Sequence, residues 1–171
     1  LYHWLGEPGC RREYRLRGAR ILPDGWGRYL TRDGEVILLL EWDRATEFGK
    51  RLEAKVSEYV THFRGREHAE LTNVIFVAPD LRREEVVREV IQRGRRSAGH
   101  LPCCTFWTAN AMAIDDEGPL APIWMRAGAA DVVDRLRLHD MPARPRSNRP
   151  AADCIGKPMW WERRLGGGAG T

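Results

Sequence analysis

Apolar positions along this chain follow two periods, one suited to strands and one to helices. Trp26 to Thr31 and Glu35 to Asp43 read as two strands joined at Arg32-Asp33-Gly34, where an Asp-Gly step tolerates the positive φ of a hairpin turn. Within the second strand Val36-Ile37-Leu38-Leu39-Leu40 is apolar without a break, which predicts a central strand covered on both faces. Thr46 reads as a helix cap, and Phe48, Leu52, Val56, Tyr59 and Phe63 then recur at helical spacing to about residue 63. Leu71 to Ala78 is another buried strand, closed by Pro79-Asp80. Leu81 to Arg93 is predicted as a helix with Leu81, Val86, Val87, Val90 and Ile91 inward. Gly94 to Gly99 reads as a loop and Leu101 to Thr108 as a further strand.

The two ends are less regular. Residues 1–20 are polar and Arg-rich, suggesting a helix broken near Pro8 and Gly9, then a short strand within Tyr14 to Leu22 and a turn at Pro23-Asp24-Gly25. Asp115 to Pro122 reads as a turn region with a solvated acidic cluster, Ile123 to Met125 as a small edge strand, and Ala129 to Leu138 as a short helix. Beyond that, Pro142, Pro145 and Pro150 alternate with Arg144, Arg146 and Arg149, and Gly166 to Gly170 is a flexible end. Strands linked through helices imply that part of the sheet is parallel. The expected class is α/β, a mixed central sheet with an antiparallel hairpin followed by helical crossovers. The expected layout is one domain over residues 1–138 and a basic Pro/Arg-rich linker and tail over 139–171.

A length of 171 residues fits one domain with a core large enough to need no staples. No apolar run approaches the roughly 18 residues of a membrane span. No signal-peptide pattern is visible, so a cytoplasmic protein without a membrane partner is expected. The first residue is Leu, which reads as a processed start or a fragment. Basic residues number 28 against 24 acidic, a net charge of +4; three are Lys and the other 25 Arg. Arg makes forked contacts to phosphate, so this balance permits nucleic-acid binding without demanding it. The cysteines, Cys10, Cys103, Cys104 and Cys154, have no metal-site spacing and read as reduced structural thiols. His62 and His68 are not spaced for a metal on one helix face.

The informative stretch is Pro23-Asp24 followed by Glu41-Trp42-Asp43. Pairing about the Asp33-Gly34 turn sets Asp24 opposite Glu41, and residues 41 and 43 share a face because side chains alternate. Three acids in one place call for a cation, and oxygen-only ligands favour Mg²⁺. Lys55 falls between Leu52 and Tyr59 on the inward side of its helix, where it needs an acceptor. Metal ligation by Asp24, Glu41 and Asp43, with Lys55 beside an attacking water or a phosphoryl oxygen, is one reading. In the other, Asp24 caps a turn, Glu41 and Asp43 are polar residues at a strand exit, and Lys55 reaches for water.

The run Pro23-Asp24-Gly25, Leu38 to Thr46 (Leu-Leu-Leu-Glu-Trp-Asp-Arg-Ala-Thr), Lys55 and Tyr59 resembles the replication-relaxation family of bacterial plasmids and integrative elements, with its PD, E-x-D-R-x-T and K-x-x-x-Y stretches. Val74 to Val77, Thr105 to Thr108 and Gly118 to Trp124 are similar to its second half. The order of elements also resembles the PD-(D/E)xK nuclease-like fold, in which a helix precedes a three-strand meander and a crossover helix. That likeness implies DNA as partner, Mg²⁺ on the paired acids and phosphodiester hydrolysis. Asp43 stands where that superfamily has its Lys, and Lys55 would be a migrated equivalent; Glu7 would be an extra acid from the first helix. Family members often carry a winged helix upstream, and none is visible here. The alternatives are a non-catalytic DNA-binding or interaction module that keeps the fold, and a regulator whose winged helix does the DNA work.

Overall fold

The unbroken apolar run lies in β3 (Glu35–Trp42), where Ile37 and Leu39 enter one core while Val36 and Leu38 enter a second on the opposite face. Burying such a side chain contributes roughly 1.5–3 kcal/mol, and from Val36 to Leu39 the strand is covered on both faces. The computed structural model describes residues 3–16, 18–45, 49–97, 103–128 and 134–145. Around β3 the elements run β1 (His3–Gly6), α1 (Glu7–Leu16), β2 (Gly25–Leu30), then α2 (Lys50–Phe63), β4 (Thr72–Ala78), α3 (Leu81–Ser97), β5 (Thr105–Asn110), α4 (Ala111–Glu117) and β6 (Met125–Ala127).

The strands form one six-stranded sheet in sequence order, β1 to β6. β2 pairs antiparallel with β1 and β3, β4 pairs parallel with β3 and β5, and β6 closes the sheet antiparallel to β5. The molecule is therefore α/β with a mixed sheet, and the hairpin precedes the helical crossovers as expected. Both crossovers advance the sheet in one direction, so α2 and α3 pack on one face together with α1. Ala111, Ala113 and Ile114 of α4 cover the other face with Ile123, Trp124, Leu138 and Met141.

Several elements differ from their sequence reading. Pro8 does not break a helix; it sits in the first turn of α1, where a missing N–H costs nothing, and Tyr14 is buried in that helix and not in a strand. Gly94 does not end α3, which runs on to Ser97. A Cβ at Gly94 would stand 2.7 Å from Val56 Cγ1, so the glycine lets α2 and α3 approach closely. Val87, Val90 and Ile91 are buried as expected, but Leu81 and Val86 are exposed, and Glu84 takes an inward position instead. Asp115, Asp116 and Glu117 lie in α4, because Asn110 caps that helix through its side chain onto Ala113 N, and all three are exposed. The edge strand is shifted to Met125–Ala127.

The region after β6 also departs from expectation. Leu136 bridges Trp124 and residues 134–137 are not helical, while Leu138–Asp140 is a 3₁₀ turn; 129–133 lie outside the described residues. Residues 139–145 pack on the domain. Arg144 bridges Glu35, and Asn73 donates to the Pro142 carbonyl at 2.9 Å. The expected cap at Thr46, Phe48, strand start at Leu101, Cys154 and tail from Arg146 also lie outside the described residues. Among the described residues no helix is long and apolar enough to cross a membrane.

Candidate functional site

The β2–β3 register pairs Gly25 with Leu40, which brings Asp24 level with Glu41. Asp24 extends the ladder beyond the strand: its N–H donates to the Leu40 carbonyl at 2.9 Å, and its Oδ2 accepts the Trp42 N–H at 2.8 Å. Glu41 follows Ile37 and Leu39 on the face covered by α1 and α2, and it is 2 % exposed. A carboxylate in that position needs donors. Lys55 Nζ donates to Glu41 Oε2 at 2.9 Å, and the Tyr59 hydroxyl, one turn further along α2, donates to Oε1.

Burial pushes the Glu41 carboxyl up to about 7; Lys55 and Tyr59 pull it down, and the Asp24 charge adds to the rise. Tyr59 is itself raised well above its ordinary value, first by burial and then by the Glu41 charge. Cys10 on α1, pushed up to about 12 mainly by burial and then by Asp24 and Glu41, is an inert thiol beneath the site.

Asp43 has a different partner. Arg83, in the first turn of α3, forks onto it, with Nε at 2.6 Å from Oδ2 and Nη2 at 3.2 Å from Oδ1. Oδ1 also accepts the Ala45 N–H at 2.9 Å, which holds the left-handed turn at Ala45 (φ 56°). Asp24, Glu41, Asp43 and Lys55 nonetheless line one cavity of about 180 Å³, with Glu7 and Arg44. Glu7 contacts Arg11 across 2.5 Å.

Mg²⁺ demands near-octahedral oxygen ligands. Five of the six carboxylate oxygens of Asp24, Glu41 and Asp43 accept hydrogen bonds from protein donors. Among the described residues no group of three or more His, Cys, Asp or Glu is placed to hold a metal ion. The trio as placed does not fit a three-carboxylate Mg²⁺ site. What the arrangement does supply is a buried carboxyl poised near neutrality, with an ammonium and a phenol on it.

Sequence reasoning brought Asp24, Glu41, Asp43 and Lys55 to one cavity. The spacing puts Tyr59 on the apolar face and the family likeness puts it in the Lys-x-x-x-Tyr stretch, which sets both side chains one helical turn apart, but neither assigns it the Glu41 hydrogen bond. Arg83 was missed; nothing in the sequence separates it from the other arginines. Glu84 was missed as well. It is buried on α3 and accepts from Thr108 Oγ1 at 3.0 Å, Asn110 Nδ2 at 2.8 Å and Arg135 Nη2 at 3.1 Å. Set against known proteins, the chain matches no family model, no curated protein and no solved structure.

Proposed function

We propose that this chain is a DNA-associated domain of the replication-relaxation type, serving a plasmid or mobile element. In this reading it keeps a nuclease-like architecture and acts by binding rather than by metal-dependent cleavage. The likeness in motifs supports the family, and the antiparallel β1–β2–β3 set followed by the α2 crossover is compatible with the PD-(D/E)xK order, although α1 lies after the first strand here. The observation that carries the binding reading is that each acid of the trio is already engaged: Asp43 by Arg83, Glu41 by Lys55 and Tyr59, Asp24 by the Trp42 N–H. Gel shift of a DNA fragment by the full chain tests DNA association. A melting temperature that Mg²⁺ leaves unchanged agrees with an ion-pair network, since a ligand bound by the folded state alone raises it.

A metal-dependent endonuclease is the second reading. The placement of Asp24 and Glu41 on one cavity favours it. Nicking of supercoiled plasmid in Mg²⁺ by wild type and not by Asp24→Ala would establish it; equal activity of the two proteins would remove it.

A further inference from the structure

We propose that the cavity between the α1–β2 connection and α2 is a phosphate-binding site, with Arg20 and Arg66 as its charged donors. It is separate from the Asp24–Glu41 cavity and goes beyond the DNA-associated reading. The phosphate belongs to a nucleic-acid strand or to a small phosphorylated molecule, and the recognising chemistry is the same for both. The cavity measures about 350 Å³, against about 180 Å³ for the Asp24–Glu41 cavity. Gly18, Ala19 and Arg20 line it from the α1–β2 connection. Ser57, Glu58, Thr61 and His62 line it from α2, and Arg66 stands just past the end of that helix.

Both arginines follow from the same local arrangement. α1 and α2 pack on one face of the sheet, and each is closed by a left-handed glycine, Gly18 at φ 64° and Gly65 at φ 68°. After α1 the Gly18 and Ala19 N–H groups donate to the Arg15 and Tyr14 carbonyls, both at 3.0 Å. After α2 the Arg66 N–H donates to the Phe63 carbonyl at 3.1 Å. Backbone donors thus answer these carbonyls at the two helix ends, and the guanidinium groups are not taken up as caps. Both arginine side chains are exposed, and among the described residues neither makes an ion pair or a side-chain hydrogen bond. Arg28, Arg83 and Arg135, by contrast, are each held by a buried acid, Glu35, Asp43 and Glu84 respectively.

A guanidinium keeps its charge at every working pH and presents a fork of N–H donors with no acceptor. Two of them on one cavity repel each other, and an anion between them removes that cost. Ser57 and Thr61, one turn apart on α2, add hydroxyl donors to the lining. Glu58 is the acid on the lining, and among the described residues it pairs with neither arginine, so positive charge is in excess. An apolar ligand would cover these charges without answering them. Donors that come from two separate segments suit oxygens pointing in several directions, as those of a tetrahedral phosphate do. A planar carboxylate is satisfied by a single fork.

The test is isothermal titration of the full chain with inorganic phosphate and, as a carboxylate dianion, with malonate at matched ionic strength. The proteins are wild type, Arg20→Gln, Arg66→Gln, Glu58→Gln and Arg126→Gln, the last an exposed position on β6. All four positions are exposed, so the variants should melt with wild type in the absence of ligand. Wild type should bind phosphate more tightly than malonate. Arg20→Gln and Arg66→Gln should each weaken phosphate by about 3- to 30-fold, the loss of one partly solvated charge-assisted contact. Arg126→Gln should bind as wild type does, and Glu58→Gln more tightly, since a like charge has gone. Anisotropy of a labelled oligonucleotide separates the two sources. Weaker strand binding in the Arg20 and Arg66 variants, with phosphate competing in wild type, identifies a strand backbone. Strand binding unmoved in those variants, with their phosphate binding lost, identifies a small phosphorylated molecule. No phosphate binding by wild type, or equal binding by Arg20→Gln and Arg66→Gln, overturns the site whatever the oligonucleotide does. Phosphate binding as expected, with no strand bound by any of the proteins, upholds the site and overturns the DNA-associated reading alone.

Discussion

Lys55 of α2 meets Glu41 of β3 across 2.9 Å, and the carboxylate it reaches is 2 % exposed. One ammonium at the edge of an apolar helix face and one acid at the end of a central strand therefore hold each other, and Tyr59 completes the set. The chemistry of the cavity and part of the stability of the fold depend on this contact.

The first expectation concerns pH. Glu41 titrates at about 7 in the folded protein against an ordinary 4.5, so between those values the fold holds a proton that the unfolded chain has released. The stability this contributes is complete below about 4.5 and is lost as pH rises through about 7, a change of about 3 kcal/mol. Urea denaturation of wild type and Glu41→Gln across that window measures it. Wild type should lose stability relative to the variant as pH rises; parallel curves would contradict the assignment.

Removing the ammonium should matter most where Glu41 is charged. Lys55→Met is expected to cost roughly 1–3 kcal/mol at about pH 8, less than a fully buried pair because Lys55 is partly solvated, and little at about pH 5. Chemical denaturation at the two pH values reads this difference. The cost should shrink in a Glu41→Gln background, since the partner charge is then gone. Equal cost in all conditions would mean that Lys55 acts by packing alone.

Asp43 and Arg83 join the end of β3 to the start of α3. Both side chains are nearly buried, so Asp43→Asn should destabilise by about 2–4 kcal/mol through an uncompensated guanidinium. Arg83→Met in the same background should add little, because the pair acts as a unit. Additive losses in the double variant would show that the two residues do not depend on each other.

Asn73 is fully buried in β4 and links three segments: it donates to the Ile37 and Pro142 carbonyls and accepts the Trp107 indole N–H at 2.9 Å. Asn73→Ala leaves those groups unsatisfied and should cost about 2–4 kcal/mol. Hydrogen exchange should show protection lost first at residues 138–145, the segment that Asn73 holds to the sheet. Uniform loss across the domain would place the effect in the core instead.

The hairpin register, the central strand and the inward phase of Lys55 were legible because each follows from a period: two along strands, 3.6 along helices. What failed were places where a tertiary contact overrides a local rule. Pro8 and Gly9 look like breakers, yet a first-turn Pro is compatible with a helix start. Gly94 looks like a stop, yet Val56 needs the space. Glu84 interrupts an apolar stripe, and only the donors brought by β5 and Arg135 make its burial tolerable. The cavity was legible to the same degree. Its four charged residues converge as spacing suggested, but the Arg83 fork that takes Asp43 depends on where α3 begins relative to β3, which no local pattern reports.

The most direct test is anisotropy of labelled DNA titrated with the full chain, in EDTA and again in Mg²⁺ at matched ionic strength, with the DNA run on a denaturing gel afterwards. The expected result is the same affinity in both buffers, falling with added salt, and intact strands. Binding that requires Mg²⁺, or strands cut in Mg²⁺ by wild type and spared by Asp24→Ala, would contradict it.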